Sequence, residues 1–319
     1  MQVGPRISVV IVAYRSADVL EPCIRSVPSD VEVIVVDQMS PDATASVVAR
    51  TERTVRLIAA GANRGFGAGC NIGAANAMGN TIIFLNPDAQ LTSGAAHALA
   101  EAVARWGGGI VGPRIVDGHG NDVTRAARRS SSWSDIVDLL VPVVVQPKRW
   151  RRYVERDCEI YRSGGQVWSV QGSCMAIDSG VFWECGGFDE RLFLYGEEEY
   201  LSVQLRRAGY CTAVEPKAVV SHLGKTSTNK VGLFAVEQYY RSRVILYRHL
   251  GSKRSAVGRT MMLGVAIQAL WLTTPVRSVI GYRRSKDAAW CRAALRGLRR
   301  GLVGRPVMSP SGPWSPTEA

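Results

Sequence analysis

The sequence predicts the α/β fold class, with a mostly parallel sheet that carries helices on both faces. Two observations predict it: apolar runs rich in β-branched residues recur every 24 to 26 residues, and helix-like stretches separate them. The runs occupy residues 7–12, 31–36, 55–59 and 81–85, and the helical stretches occupy about 17–26, 43–50 and 68–78. Strands that alternate with helices in this way form parallel βαβ units.

The second apolar run ends on a carboxylate, in the segment Val35-Val36-Asp37. In an open parallel sheet, ligands bind beyond the carboxyl ends of the strands. A carboxylate at that edge can accept hydrogen bonds from a base edge or from ribose hydroxyls, which makes Asp37 a candidate nucleotide-binding residue. The alternative is that Asp37 only caps or turns the chain.

A glycine-dense segment at 63–73 follows the third run and precedes a helix. Its glycines would let the backbone approach a ligand closely, and the helix N-terminus would offer amides to a phosphate. The segment is not a dinucleotide fingerprint. That pattern follows the first strand of a sheet, and Cys70 stands here where its last glycine is expected.

The fourth run predicts a strand that is buried on both faces and ends in Asn86-Pro87-Asp88. A buried strand that delivers a carboxylate to its end suits a ligand site at the sheet edge. Asn-Pro-Asp is equally good turn chemistry, so both interpretations stay open.

The regular alternation stops between residues 107 and 165. This segment contains three consecutive glycines, clusters of Arg and Lys, several Trp and Tyr residues and an apolar patch at 136–145. The composition predicts a lid or an interfacial insertion, and a solvated loop is the alternative.

Three carboxylates, Glu197 to Glu199, open a predicted helix. The helix dipole favours negative charge there and explains two of them. Glu198 stands at i, i+3 and i+7 with Leu201 and Leu205, so we expect it on the inward face. A buried carboxylate is costly unless it has a task, and this favours Glu198 as a catalytic group.

His222 ends a later apolar run and precedes Lys225 and several hydroxyl residues. This composition suits a diphosphate or the metal bound to it. A structural histidine is the alternative reading.

Positive charge is concentrated in the last quarter of the chain. Residues 241–319 carry 15 Lys or Arg and two acids, so their net charge is +13. The net charge of the whole chain is +12, so that of residues 1–240 is −1. Residues 261–276 are apolar but too few to span a bilayer, and predict an in-plane or buried helix. Cations beside Trp and Tyr suit an anionic membrane; a solvated tail and a nucleic-acid surface are the alternatives.

We therefore expect an α/β domain at 1–229 and a helical, basic, membrane-associating region at 230–319. Seven dispersed cysteines without a C-x-x-C pair argue against a disulfide framework or a zinc site, and predict free thiols in a reducing compartment. No secretory signal is visible at the N-terminus.

Taken together, these motifs resemble the family-2 glycosyltransferases, and within them the bacterial rhamnosyltransferase-like branch. The resemblance covers about residues 6 to 250. The matching motifs are Ser8 to Tyr14, Val35-Val36-Asp37, Asn63-Arg64-Gly65-Phe66-Gly67, Asn86-Pro87-Asp88, Gly187-Phe188-Asp189-Glu190 and Tyr195-Gly196-Glu197-Glu198. The resemblance implies the Rossmann-like GT-A fold, a nucleotide-sugar donor, Mg²⁺ or Mn²⁺, and inversion at the anomeric carbon.

The resemblance also implies roles for individual residues. Asp37 would bind the nucleotide base, Asp88 and His222 would hold the metal, and Glu198 would be the catalytic base. The residues implied in donor binding are Ala13, Tyr14, Asp37, Asn63, Gly65, Phe66, Gly67, Asn71, Asn86 and Lys225, and those implied in acceptor binding are Gly172, Ser173 and Glu197. Two departures stand out, because Asn86 replaces the first acid of the usual Asp-x-Asp motif and Tyr200 replaces the last acid after the base.

The expected activity is transfer of rhamnose or another deoxyhexose from a dTDP- or UDP-linked donor to a lipid-linked or cell-envelope glycan. The expected location is the cytoplasmic face of the plasma membrane, as a peripheral protein, with a homodimer as a further expectation and no nucleic-acid partner. Two alternatives are a sugar nucleotidyltransferase and a non-catalytic membrane-bound module that binds sugar nucleotides. A nucleotidyltransferase needs a glycine-rich basic loop after the first strand, and residues 13–16 do not provide one.

Overall fold

The computed structural model of the protein describes residues 6–124, 135–136, 139, 159–222, 226–279 and 288–304. Its first half alternates strands and helices as the sequence predicts. The strands are β1 (Ile7–Ala13), β2 (Glu32–Asp37), β3 (Arg56–Ala59) and β4 (Thr81–Leu85), and the helices are α1 (Leu20–Ser26), α2 (Thr44–Arg50) and α3 (Phe66–Ala75). The bounds of these four strands lie within one residue of the predicted runs.

The remaining elements of the α/β part complete the same sheet and its helical layers. They are β5 (Ala89–Leu91), α4 (Ala95–Arg105), β6 (Ile110–Val116), β7 (Gly165–Gln166), β8 (Cys174–Asp178), α5 (Ser179–Glu184), α6 (Glu197–Arg207) and β9 (Thr212–His222). Three helices follow: α7 (Thr226–Leu250), which is kinked at Gly232, α8 (Lys253–Val279) and α9 (Ala288–Val303).

Within the described residues the sheet has nine strands in the order β3-β2-β1-β4-β8-β6-β9-β5, with β7 beside β9. The strands from β3 to β4 are parallel, as predicted. Beyond β4 the sheet is mixed, because β8 runs antiparallel to both β4 and β6. In the parallel part Ala13 pairs with Asp37 and Ile11 with Leu85, so three strands end at one edge of the sheet.

Both faces of the sheet are covered, and β1 shows how. Val9 and Ile11 point into one apolar core and Val10 and Val12 into the other, all of them less than 7% exposed. Alternate residues of a strand point to opposite faces, so a strand that is buried on both sides reads as one continuous apolar run. This explains why the runs at 7–12 and 81–85 were recognisable in the sequence.

The predicted lid at 107–165 is wrong for its first part, because β6 lies inside the sheet between β8 and β9. Pro113 lies within β6 and is unfavourable in a central strand, since proline cannot donate to a ladder. The structure accommodates it at an irregularity, where the register with β9 shifts between Pro113 and Arg114. Residues 125–134, 137–138 and 140–158 lie outside the described residues, and for them the lid stays a prediction.

All six cysteines within the described residues are free, as predicted, and five of them are buried. Burial raises the pKa of the Cys23 and Cys174 thiols far above the ordinary value, which keeps them neutral and unreactive. The seventh, Cys158, lies outside the described residues.

The chain divides into two compact units, and α7 passes from one to the other between Asn229 and Lys230. The first contains the sheet with helices α1 to α6. The second contains the rest of α7, helices α8 and α9, and the segment Arg191–Gly196.

Helices α7 and α9 pack closely in the second unit. A Cβ atom added to Gly297 would lie 2.2 Å from the carbonyl oxygen of Glu237, and one added to Gly301 would lie 2.7 Å from Cβ of Val244. The carboxylate of Glu237, which is almost fully buried, forms ion pairs with Arg296 at 3.3 Å and with Arg300. Part of the positive charge of this region therefore has a structural use.

Candidate active site at the carboxyl edge of the sheet

The ends of β1 and β2 are tied together by short polar contacts. Gln38 donates its backbone N–H to the carbonyl of Ala13 at 3.0 Å, and Arg15 donates its own to Ser40 Oγ at 3.0 Å. Arg15 and Met39 both adopt positive φ angles, 54° and 58°, which cost non-glycine residues energy and are frequent at functional sites. The sequence offered no signal for these two conformations.

Asp37 lies at this edge, 8% exposed, and its Oδ1 accepts the N–H of Ser40 at 3.1 Å. Asp37 therefore stabilises the turn after β2, which is one of the two interpretations that the sequence left open. Ala13 is buried and Tyr14 half-buried beside it. The predicted contacts of these three residues with a nucleotide stay predictions.

The chain turns sharply after β4. Ala89 donates its N–H to the carbonyl of Asn86 at 3.0 Å, with Pro87 at the second position of the turn, where proline is favoured. This turn directs Asp88, which is 5% exposed, towards His222, and the distance from Asp88 Oδ1 to His222 Nε2 is 3.1 Å. The turn and the ligand-site interpretations of this segment are therefore compatible.

Sheet pairing brings Asp88 and His222 together although 134 residues separate them. Short strand β5 starts directly after Asp88, and its first residue, Ala89, pairs with His222 at the end of β9. The pair offers one carboxylate and one imidazole, and the described residues contain no group of three or more potential metal-binding side chains. Divalent ions in phosphate-binding sites commonly use one or two protein ligands plus phosphate oxygens and water, so the pair fits such an ion.

Glu198 lies in the first turn of α6 and faces Gly172. A Cβ atom added to Gly172 would lie 3.6 Å from Glu198 Oε2. The expectation that Glu198 is the inward-facing member of its turn is wrong, because Glu197 and Glu199 are 2% and 7% exposed whereas Glu198 is half-buried. Glu197 is buried because it packs against the first turn of α3, near Gly67. Partial exposure leaves Glu198 accessible to an incoming hydroxyl group.

Ser173 links the Glu198 side of the site to the turn that carries Asp88. Its carbonyl accepts the N–H of Asn86 at 2.9 Å, and the preceding residue, Gly172, contacts Glu198. Its hydroxyl is buried and has no hydrogen-bond partner among the described residues. A buried hydroxyl of this kind is a group that a polar ligand would satisfy.

The glycine-dense segment serves packing as well as the site. Cβ atoms added to Gly69 and Gly73 would lie 2.6 and 2.2 Å from side-chain atoms of Val12 and Val10, so these two glycines let α3 lie directly on β1. Gly65, by contrast, is buried with a φ of 94° immediately before α3. A residue with a side chain would be strained at this φ angle. The N–H of Gly65 donates to Asn63 Oδ1 at 3.1 Å.

Gln38 is a residue of this site that the sequence reasoning missed. It is 3% exposed, and its Oε1 accepts the N–H of Arg64 at 2.9 Å, which joins the end of β2 to the glycine-dense segment. Its place directly after Asp37 was the available signal. An uncharged side chain at a strand end indicates a ligand site less specifically than a carboxylate does.

Asn71 has a structural use. Its amide donates to the carbonyl of Phe188 and accepts the N–H of the same residue, both at 2.9 Å. The Phe188 ring packs against Phe84 of β4 and Phe182 of α5, with centroids 5.1 and 5.3 Å apart. Asn71 thus holds the Gly187 to Glu190 motif onto α3. Its predicted contact with the donor stays a prediction.

We expect Asn71→Asp to lower the free energy of unfolding by about 1–3 kcal/mol, because the carboxylate cannot donate to Phe188 and leaves a half-buried carbonyl unpaired. Urea unfolding measures this. Asn80→Asp is the matched control, since Asn80 is exposed. An Asn71→Asp protein that unfolds like the wild type but binds donor poorly would show that ligand contact, and not loop anchoring, is its main role.

Phe66 and Lys225 are the remaining residues that were predicted to bind the donor. Phe66 is half-buried at the start of α3, with its ring centroid 6.4 Å from that of Phe188. Lys225 lies outside the described residues, so its predicted role stays a prediction. The structure otherwise brings the predicted residues to one edge of the sheet, in one group at the ends of β1 and β2 and another around Asp88, His222 and Glu198.

Comparison with known proteins agrees with this architecture. Residues 8–186, more than half of the chain, match the profile of Glycosyl transferase family 2. The chain is 27% identical over 253 residues to N-acetylglucosaminyl-diphospho-decaprenol L-rhamnosyltransferase of Mycobacterium tuberculosis, which covers 75% of this chain and 82% of that protein. It is 23% identical over 217 residues to the low-salt glycan biosynthesis hexosyltransferase Agl10 of Haloferax volcanii, 66% of each chain.

Solved structures show the same fold. The mannosyltransferase PcManGT from Pyrobaculum calidifontis, in complex with GDP-Man and Mn²⁺, has a TM-score of 0.56 at 14% identity, over 97% of this chain and 89% of that one. GalNAc-T7 with UDP, GalNAc and Mn²⁺ has a TM-score of 0.53 at 18% identity, over 76% of this chain, which spans only 48% of that structure. The chain belongs to glycosyl transferase family 2 and has the GT-A fold.

Proposed function

We propose that this glycosyltransferase is an inverting, metal-dependent enzyme that moves a sugar from a nucleoside diphosphate to a hydroxyl of a lipid-linked or cell-envelope glycan. The observation that carries the proposal is the arrangement of Asp88, His222 and Glu198 at the carboxyl edge of the sheet. Asp88 Oδ1 and His222 Nε2 lie 3.1 Å apart there, and the backbone of Gly172 and Ser173 connects this pair to the half-buried carboxylate of Glu198.

The chain's residues divide the work of such a reaction. Asp88 and His222 would hold Mg²⁺ or Mn²⁺, and this ion supplies charge neutralisation for the leaving nucleoside diphosphate. Asp37 accepts hydrogen bonds from the nucleotide at the end of β2, where ligands of open α/β sheets bind. Asn63 and Gly65 shape the neighbouring backbone, and the buried Ser173 hydroxyl donates to the donor or the acceptor.

Glu198 acts as the general base in this proposal. It removes the proton from the acceptor hydroxyl as the hydroxyl oxygen bonds to the anomeric carbon. The bond from that carbon to the diphosphate oxygen breaks on the opposite side, so the configuration inverts. The electron pair of the broken bond stays on the diphosphate.

The relatives suggest the substrate class. The Mycobacterium tuberculosis protein is named as a rhamnosyltransferase that acts on a prenyl-linked N-acetylglucosaminyl diphosphate, and the two structural neighbours were solved with UDP or GDP-Man. We propose a dTDP- or UDP-linked deoxyhexose as donor and a prenyl-diphosphate-linked sugar as acceptor. With such an acceptor, we also propose that the protein works at the cytoplasmic face of the plasma membrane.

A screen of nucleotide sugars tests the proposal. The full chain is mixed with dTDP-, UDP- and GDP-linked sugars, with Mn²⁺ or with EDTA, and thermal stabilisation and slow hydrolysis of the donor are measured. We expect one class of donor to stabilise the protein only when the metal is present, since a ligand raises stability in proportion to its occupancy. Equal responses with EDTA, or no response to any sugar nucleotide, would contradict the proposal.

A further inference from the structure

One face of α8 carries a row of exposed apolar side chains, which we call the α8 stripe. Its members are Val257, Met261, Val265, Trp271 and Leu272, with exposed fractions of 36%, 62%, 65%, 39% and 80%. The first three stand at i, i+4 and i+8, so they lie along one side of the helix, and the last two continue that side. Gln268 is also exposed on this side, so one uncharged polar residue interrupts the stripe. A cluster of exposed apolar side chains of this kind marks an interaction site.

The opposite face of α8 is packed within the second unit. Ala256, Leu263, Ile267 and Leu270 are at most 5% exposed and belong to its apolar core. Within the described part of the chain, Lys253–Leu272 is the one segment long and apolar enough to cross a membrane, with a mean hydropathy of 1.2, and a third of it is buried by the protein. A helix held by protein on one side fits an in-plane position better than a spanning one.

Positive charge lies at the start of the stripe and elsewhere in the second unit. Lys253 and Arg254 are exposed at the start of α8, and Arg292 and Arg299 are exposed on α9, which packs against α8. Between Lys253 and Gly304 the sequence has 11 Lys or Arg and one acid, Asp287, and two of the arginines, Arg296 and Arg300, pair with Glu237. Apolar side chains that follow Lys253 and Arg254 on one helix, with Trp271 among them, match the acyl chains, anionic headgroups and interfacial layer of a bilayer.

We propose that the α8 stripe is the surface by which this protein binds an anionic lipid bilayer. The helix lies in the plane of the interface with Met261 and Val265 towards the acyl chains. This goes beyond the proposed membrane location, because it names the surface and its orientation. It makes no use of the nucleotide site.

Co-sedimentation of the full chain with lipid vesicles tests the inference. We expect binding to vesicles that contain phosphatidylglycerol, and much weaker binding to vesicles of phosphatidylcholine alone. The double variant Met261→Gln, Val265→Gln should bind phosphatidylglycerol vesicles about 30-fold less, because two side chains no longer enter the apolar layer. Met78→Gln is the control, since Met78 is 63% exposed but lies in the first unit.

Three results would overturn the inference. The double variant could bind vesicles like the wild type, or the wild type could ignore the phosphatidylglycerol content. Analytical ultracentrifugation could instead show a wild-type dimer that the double variant dissociates, which would make a second copy the occupant of the stripe. The assay contains neither donor nor metal, so failure of the proposed transferase activity would not change its outcome.

Discussion

Replacement of Glu198 by Gln is expected to lower the rate of sugar transfer by about 10³-fold, with donor affinity unchanged within about twofold. A positioned general base contributes roughly 10²- to 10⁴-fold, and glutamine cannot accept the proton of the acceptor hydroxyl. The side chain is half-buried against Gly172, so the isosteric amide fits the same space. Single-turnover transfer with bound donor separates this loss from a loss of binding.

Glu199→Gln is the matched control for that variant. Both residues lie in the first turn of α6, where the helix dipole favours negative charge. If charge at the helix start were the whole role of Glu198, the two variants would lose similar activity and similar thermal stability. Retained transfer in Glu198→Gln would refute its assignment as the base.

Asp88→Ala is expected to weaken metal-dependent donor binding by about 100-fold, because it removes the carboxylate that opposes His222. Isothermal titration of the donor with Mn²⁺ measures this affinity. In EDTA the variant and the wild type should bind the donor with nearly equal affinity. Without the metal, the link between Asp88 and the donor is absent from both proteins.

His222→Ala completes a double-mutant cycle with Asp88→Ala. Two ligands of one ion act as a unit. Each single variant should therefore lose more than half of the donor-binding free energy that the double variant loses. Strictly additive losses would show that the two side chains do not act on one ion. An Asp88→Ala protein with unchanged metal-dependent affinity would refute its role as a metal ligand.

The parallel half of the sheet was predictable because each strand in it is a local apolar run. Asp37 and Asp88 were predictable for a related reason, since each follows its strand directly and a strand end has a known place at the edge of a parallel sheet. These inferences need only neighbouring residues. They do not depend on how distant segments pair.

The parts that were missed depend on distant pairings. Strand β6 contains Pro113, and only its shifted register with β9 makes that residue acceptable in the sheet. The contact of Ser173 with Asn86 arises because β8 pairs antiparallel with β4, and that of Gly172 with Glu198 arises because the residues before β8 lie beside the first turn of α6. No local pattern encodes such a pairing, so the link between the two sides of the site was invisible in the sequence.

Glu198 illustrates a limit of helical periodicity. Its spacing to Leu201 and Leu205 predicted an inward position, but Glu197 and Glu199, which lie on opposite sides of the first turn of α6, are the buried carboxylates. Periodicity describes a helix that packs along its whole length on one layer. At a helix terminus, a neighbouring element such as α3 decides which side chains are buried.

The release of nucleoside diphosphate on mixing donor with acceptor tests the central claim most directly. The assay uses the donor selected by the screen, Mn²⁺, and a short prenyl-diphospho-N-acetylglucosamine as acceptor. We expect release by the wild type that depends on both metal and acceptor, and none above background with Glu198→Gln. Metal-dependent binding of the donor without acceptor-stimulated release would contradict the account and indicate a module that binds sugar nucleotides without catalysing transfer.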